Sequence, residues 1–449
     1  MRTFAVLCLG LLVCPTLWAQ PALTVDQAVQ LAIQQNPRLA STHFDVAAAQ
    51  AQVGVASATL YPTINVIGSS SSQSNRSSSG GSNSNALGAV LSNLSGSSSG
   101  NSGQGLTQIS LNVNQILLDF GKRAEAIRAT QKQAEAAQYQ AESVRQDIIL
   151  EVRTRYYQTH TDQETVRIQQ GVVQNQQRHM LESQGFYKAG LQARNEVTKA
   201  EADLAQAQLD LVLAQNSLEQ DWVALNQSMG ISQTTPYLLS VEPLPEKALD
   251  PPLERVVELS YQYRPEARQL AAQIEAATAR MELAYRTRYP TLGVNAQTGY
   301  RALSGSPLDD YWSVGLNLNF NLFNGYLERF QAEGFKAQAD SLAQLLESTR
   351  QQVYRDTAAA LITLRNARAA IATSGVSVRS SLENFTLARK RYESGLGSNL
   401  EYQDAQLLLS RAQIAQNLTT NRYRTAVAAL LRATGIEQMK ELQHLMEAH

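Results

Sequence analysis

From Ser313 to Leu322 every second residue is apolar (Val314, Leu316, Leu318, Phe320, Leu322), and the residues between are small or carry amides (Ser313, Gly315, Asn317, Asn319, Asn321). A period of two belongs to a β-strand. Such a strand suits either a half-buried soluble sheet or a membrane wall. This run has the length of a tilted membrane strand, about ten residues, with aromatic residues at both ends, Tyr311/Trp312 and Phe323. In the membrane reading Val314, Leu316, Leu318 and Phe320 face lipid.

The first residues read as a secretory signal: Arg2 supplies a positive start, Phe4 to Val13 an apolar run, and Leu17-Trp18-Ala19 a small-residue cleavage site. Cleavage after residue 19 would remove both cysteines, Cys8 and Cys14, and with them disulfides and thiolate metal sites. No later stretch approaches eighteen apolar residues, so any further crossing must be made by strands. Lys and Arg total 38 against 39 Asp and Glu, a balance that offers nucleic acid no general attraction. The five histidines (His43, His160, His179, His444, His449) are scattered without ligand spacing, so neither a metal nor another cofactor is expected.

The chain repeats itself. Asn36-Pro37 and Tyr61-Pro62 recur as Arg264-Pro265 and Tyr289-Pro290, and Leu118-Asp119-Phe120-Gly121 resembles Leu322-Phe323-Asn324-Gly325. Tyr187-Lys188-Ala189-Gly190-Leu191 answers Tyr392-Glu393-Ser394-Gly395-Leu396, and Met229-Gly230-Ile231 answers Thr434-Gly435-Ile436. The same order twice over indicates duplication. The expected divisions are a signal at 1–19, a first repeat at 20–232, a connector at 233–252 rich in proline, a second repeat at 253–436 and a tail at 437–449. Ser69 to Gly105 is almost wholly Ser, Gly and Asn and reads as a mobile loop inserted in the first repeat.

Within each repeat the order predicted is helix, strand, strand, long helix, tight turn, helix. Thr24 is placed to cap a helix that breaks at Pro37, with a second helix from about Leu39 to Leu60. Strands are expected over Thr63 to Ile67, Ile109 to Leu117, Leu292 to Tyr300 and the opening run. Val197, Ala200, Leu204, Ala207, Leu211, Ala214 and Leu218 step alternately by three and four, as do Ile127, Thr130, Ala134, Ala137, Ala141, Val144 and Ile148. That spacing is a coiled-coil seam, and its alanines let helices approach closely. The helix from Lys122 to Phe186 would be roughly 97 Å long at about 1.5 Å per residue.

Four membrane strands cannot close a barrel, because an open edge in lipid leaves backbone groups unpaired, so several chains must share one. Asn112, Asn114, Asn317, Asn319 and Asn321 would give that barrel a polar, uncharged lumen. Here the paired Asn36-Pro37 and Arg264-Pro265, the Tyr-Pro steps, Asn321-Leu322-Phe323-Asn324-Gly325 and the two Tyr-x-x-Gly turns make the whole mature chain resemble the TolC-like outer-membrane efflux proteins. The resemblance implies a mainly α protein with a transmembrane β-barrel, in which a homotrimer shares a twelve-stranded barrel in outer-membrane lipid. Long antiparallel coiled-coil helices would continue it as a periplasmic α-barrel. It further implies an exit duct for efflux or type I secretion, coupled through a periplasmic adaptor to an inner-membrane transporter of the RND or ABC type.

The resemblance also places functional residues. The adaptor-docking tip would comprise Ala189, Gly190 and Leu191 in one turn, with Ser394, Gly395 and Leu396 in the other. Glu401 and Asp404 match two acidic residues of the family's periplasmic gate, and their spacing puts both on one helix face. The first repeat departs there, with Glu196 and Lys199 at the corresponding positions. The family's basic residue that holds the gate by pairing with the first repeat falls at Gly397, leaving Arg194 or Arg391 as substitutes. A trimeric coiled-coil surface protein with a membrane anchor is the alternative architecture, although strands internal to each repeat weigh against it. Enzymatic function has little support, since neither Asp309-Asp310 nor Glu401/Asp404 has a convincing base or metal partner.

Overall fold

The computed structural model describes residues 22–73, 104–231, 237–241, 251–303, 306–438, 441–442 and 444–445. The expected signal lies outside them, as does most of the Ser/Gly/Asn segment and of the connector. Two compact units are present: one drawn from Met1–Ser41, Val144–Arg264 and Val353–His449, the other from Thr42–Ser143 and Pro265–Gln352. Each therefore takes matching pieces from both sequence repeats.

The helices come in pairs of equal length. α1 (Val25–Gln35) and α5 (Leu253–Tyr263) have 11 residues each, and α2 (Pro37–Ala58) and α6 (Pro265–Arg286) have 22. α3 (Lys122–Lys188) and α7 (Leu327–Glu393) have 67, and α4 (Arg194–Met229) and α8 (Asn399–Thr434) have 36. Local chemistry sets these boundaries. Thr24 and Gln27 form a reciprocal capping box that starts α1. Asn36 and Arg264 are extended because a proline follows, and that proline opens the next helix at a position where its missing N–H costs nothing. Gly230 and Gly435 end α4 and α8 in the left-handed conformation, each at φ 74°.

In the first unit Ala28, Val29 and Ala32 of α1 pack with Ile148, Val152, Tyr156, Leu225 and Met229. A second core gathers Val256 and Leu259 of α5 around Leu361, Leu364, Leu430 and Leu431. Two features there differ from the sequence reading. The connector contributes a strand, β4 (Leu238–Ser240), parallel to β1 (Ala22–Thr24), and both receive the Tyr156 hydroxyl, 2.7 Å from the Leu23 and Ser240 carbonyls. Three residues are too few to show a period. The tail is also docked at one point, where Leu442 is fully buried in the second core.

The second unit holds an antiparallel sheet in the order β2 (Thr63–Gln73), β3 (Gln104–Leu118), β5 (Thr291–Leu303) and β6 (Asp309–Asn319). The β2–β3 ladder runs from Thr63↔Asn114 to Gln73↔Gln104, so the ends of the expected loop, Ser69–Gln73 and Gln104–Gly105, are strand. Backbone pairing needs no apolar side chain to propagate along a hairpin, which is why composition hid it. At the other end β6 stops at Asn319, one residue before Phe320. Asn319 pairs with Thr291, and the next partner would be Pro290, which has no N–H to extend the ladder.

The register puts like with like. Ile64, Val113, Ala296 and Val314 form one row across all strands, and Val66, Leu111, Thr298 and Trp312 another. Val314, Leu316 and Leu318 are 65, 72 and 67 % exposed. The opposite face carries Asn65, Asn112, Gln297 and Ser313 in one row, with Asn114 beside Asn295. At one end of the sheet Tyr61, Phe120, Tyr289, Phe323 and Tyr326 are all exposed. There the chain turns from β3 into α3 through left-handed Phe120 (φ 55°) and Gly121 (φ 81°), fastened by Arg286 Nη1 donating to the Phe120 carbonyl at 3.1 Å.

Candidate functional site

The two helix reversals are built alike. Gly190 (φ 73°) and Gly395 (φ 74°) take the left-handed conformation that only glycine adopts without strain. Each turn closes a Schellman pattern: the Gly190 and Gly395 amides donate to Tyr187 and Tyr392, and the Leu191 and Leu396 amides to Phe186 and Arg391, at 2.8 to 3.0 Å. Leu191 and Leu396 project into solvent, 72 and 78 % exposed, and Ala189 and Ser394 are exposed beside them.

Beyond the second turn Ser398 caps α8, its hydroxyl accepting from the Glu401 amide at 3.1 Å. Glu401 therefore sits in the first helical turn, where the backbone dipole favours a negative charge. Glu401 and Asp404 are both exposed, in keeping with one shared face. Of the two candidate cations, it is Arg391 that reaches this segment, its Nε 3.4 Å from Glu401 Oε1. Both side chains are well exposed, so the pair is worth about 1 kcal/mol at most. Gly397 is there for room: a Cβ would meet Arg391 Cβ and the Tyr392 nitrogen at 3.0 Å. In the first repeat Glu196 accepts a 2.7 Å hydrogen bond from Asn399 Nδ2, tying the start of α4 to the start of α8. Lys199 is exposed and makes no ion pair among the described residues.

Sequence reasoning missed what lies behind these residues. α3 meets α8 along a ladder of uncharged amides: Gln158 with Asn421, Asn417 with the Thr161 carbonyl, Asn175 with Gln406 and Gln176 with Gln403, at 2.7 to 3.3 Å. At its turn end the ladder gives way to an aromatic cluster of Phe385, Tyr392 and Tyr402 around fully buried His179. The His179 ring stacks on Tyr402 at 4.8 Å and leans on Tyr392 at 4.9 Å. Burial holds its pKa below the usual value of 6.5. Burial also pushes the Tyr402 phenol up to about 12. The one available signal was an asymmetry between repeats, since Tyr402 of the second corresponds to Val197 of the first.

A sheet that exposes a continuous apolar face, polar on the other side and ringed with aromatic residues at one end, defines an outer-membrane β-barrel wall. Together with two helices of 67 residues in the same chain, it defines an outer-membrane channel protein with a large helical part. The chain belongs to the outer membrane efflux protein family, whose model matches residues 28–231 and 256–436, one span in each repeat. Among its relatives, Protein CyaE of Bordetella pertussis is 27 % identical over 420 residues, 92 % of this chain and 84 % of that protein. The solvent efflux pump outer membrane protein SrpC of Pseudomonas putida is 26 % identical over 281 residues, 60 % of this chain and 58 % of that one. A membrane protein from Pseudomonas aeruginosa has the same fold, with a TM-score of 0.77 at 22 % identity over 92 % of this chain and 93 % of that one. So does the Campylobacter jejuni outer membrane channel CmeC, with 0.76 at 18 % over 94 and 89 %. The protein is thus an outer-membrane efflux component with a periplasmic helical domain.

Proposed function

We propose that three copies of this chain assemble into a passive exit duct, coupled through a periplasmic adaptor to an inner-membrane transporter of the RND or ABC type. The observation that carries the reading is the four-stranded sheet with an exposed apolar face and one free edge on each of β2 and β6. Such edges are untenable in lipid unless another copy pairs with them, and twelve strands enclose a water-filled lumen where eight would be filled by side chains. Each repeat, 20–232 and 253–436, then supplies one hairpin to the barrel and one helix reversal.

In this reading the exposed turns at Ala189-Gly190-Leu191 and Ser394-Gly395-Leu396 are the adaptor-docking tip. Glu401 and Asp404, modulated by Glu196 and Lys199, ring the periplasmic entrance and favour cations there. Transport energy comes from the inner-membrane partner, and the duct performs no catalysis. The names of relatives such as SrpC, an efflux pump component, support export as the task. Mature protein extracted from outer membranes should run as a compact trimer unheated and as a monomer after boiling. An adaptor and a transporter should copurify with it after mild crosslinking. A monomer in the unheated lane would overturn the assembly, and an intact trimer that captures no inner-membrane transporter would overturn the coupling.

A further inference from the structure

Charge enters the seam between α3 and α8 at the end remote from the helix reversal, where Arg432 Nε meets Asp147 Oδ1 at 2.7 Å, and beside Tyr157, where Arg424 lies over the ring and burial holds the pKa of His160 below 6.5. From Gln158/Asn421 to Gln176/Gln403 it is held by carboxamides and hydroxyls, which do not titrate near neutral pH. Where the seam reaches the second helix reversal it passes to His179, whose ring stacks on Tyr402 in the first turns of α8 and leans on Tyr392 at the end of α7. His179 is fully buried; the Asn399 side chain faces its ring, but neither Nδ1 nor Nε2 makes a close hydrogen bond. Its neighbour Tyr392 is further fixed by Ser183, hydroxyl to hydroxyl at 3.2 Å.

We propose that His179 is an acid-sensitive latch: uncharged, it holds the Tyr392 to Tyr402 turn against α3, and on protonation it releases that turn while the amide ladder behind it stays closed.

The surroundings give the sign. α4 presents Glu196, Lys199 and Asp203 to the ring, α8 presents Asn399 and Tyr402, and α7 presents Tyr392, with Arg389 and Glu393 beyond it. On α3 itself Glu182 faces Tyr402, and burial followed by Glu393 raises its carboxyl pKa. Burial dominates at His179 and favours the neutral ring, Lys199 acts in the same direction, and Asn399, Asp203 and Glu196 oppose it. A base whose folded pKa lies below its free value contributes stability that is complete above that free value of 6.5 and is lost as pH falls beneath it. Tyr402, its phenol pushed up to about 12 by burial, stays protonated throughout this window, and His179 and Glu182 are the groups at the turn end of the seam whose titration the fold shifts. Glu182, with a raised pKa, gains relative stability as pH falls and therefore works against release.

The latch needs only the seam; its consequence for export rests on the proposed placement of this turn at the periplasmic entrance, and amide hydrogen exchange tests the first without the second. In the full-length protein, exchange corrected for its intrinsic pH dependence should show the amides of residues 399–406 losing protection below pH 6.5. One bound proton sets the limit at about tenfold per pH unit. Residues 417–421 should hold theirs in a His160→Gln background, which removes the other buried histidine of the seam. His179→Phe keeps the stacking and His179→Gln keeps a polar group, and neither titrates, so both should be flat over the same range; if His179→Phe does not fold, His179→Gln carries the test. A flat response in the parent protein, an equal loss at 417–421, or an unchanged slope in the folded variants would overturn the proposal.

Discussion

Arg391 Nε lies 3.4 Å from Glu401 Oε1, joining the last turn of α7 to the first turn of α8 across the glycine reversal. The arginine thereby neutralises one of the two carboxylates proposed to line the entrance. Arg391→Gln should strengthen cation preference in planar bilayers, and Glu401→Gln with Asp404→Asn should weaken both that preference and block by trivalent cations. Lys199→Gln should act in the same direction as Arg391→Gln. Unchanged reversal potentials in all three, with trimers confirmed intact, would remove these residues from the constriction.

The exposed row on β6 makes a sharper claim about lipid. Leu316→Arg should cost about 2 to 4 kcal/mol near the bilayer midplane and lower the outer-membrane yield of folded protein. Asn317→Arg, one residue away on the opposite face, should be much milder. Some local adjustment is still expected, because Asn317 Oδ1 lies only 2.6 Å from where a Cβ on Gly293 would stand. Equal yields would reverse or reject the assigned faces.

Nothing lies within 4 Å of a Cβ built on Gly190 or Gly395, so their requirement for glycine is conformational and not spatial. Replacement by leucine should cost about 1 to 2 kcal/mol at each turn. The turns are remote from the sheet in sequence, so trimers should still form while adaptor crosslinking and export fail. Normal export by assembled Gly190→Leu and Gly395→Leu trimers would dissociate the turns from docking.

A carboxyl pair in the first unit gives a pH prediction of opposite sign to that of His179. Burial first, then Asp162, raises Asp221 from 3.8 to about 6. A raised acid contributes stability that is complete below its free value and is lost as pH rises through the folded one. Asp221→Asn should therefore stabilise the protein by roughly 1 to 2 kcal/mol above pH 6 and by little near pH 4. Thermal unfolding at the two pH values measures the difference, and an equal shift at both would deny the coupling.

Much of the architecture is legible because each element carries its own period. Alternation marked β3 and β6, seven-residue spacing marked the seams of α3 and α4, and Pro37 and Pro265 marked the breaks. What escaped was set by pairing and not by pattern. The serines of β2 joined a ladder that their composition did not suggest, and Leu238–Ser240 found a parallel partner far away in sequence. Phe320 continued the alternation but lost its place to the proline opposite. The setting of His179 left only the Tyr402/Val197 asymmetry as a trace, because it depends on Tyr392 and Tyr402, which only folding brings to it.

The equal lengths of α3 and α7 impose a tolerance on how such a chain can change. One residue inserted into a single long helix would advance its reversal by about 1.5 Å and swing the following residues through about 100°. Leu191 and Leu396 would then no longer stand equally many residues beyond the helix starts at Lys122 and Leu327, whatever else was preserved. A lineage that lengthens or shortens this protein must therefore make the alteration in duplicate, or absorb it in the stretches between elements, where no partner keeps count.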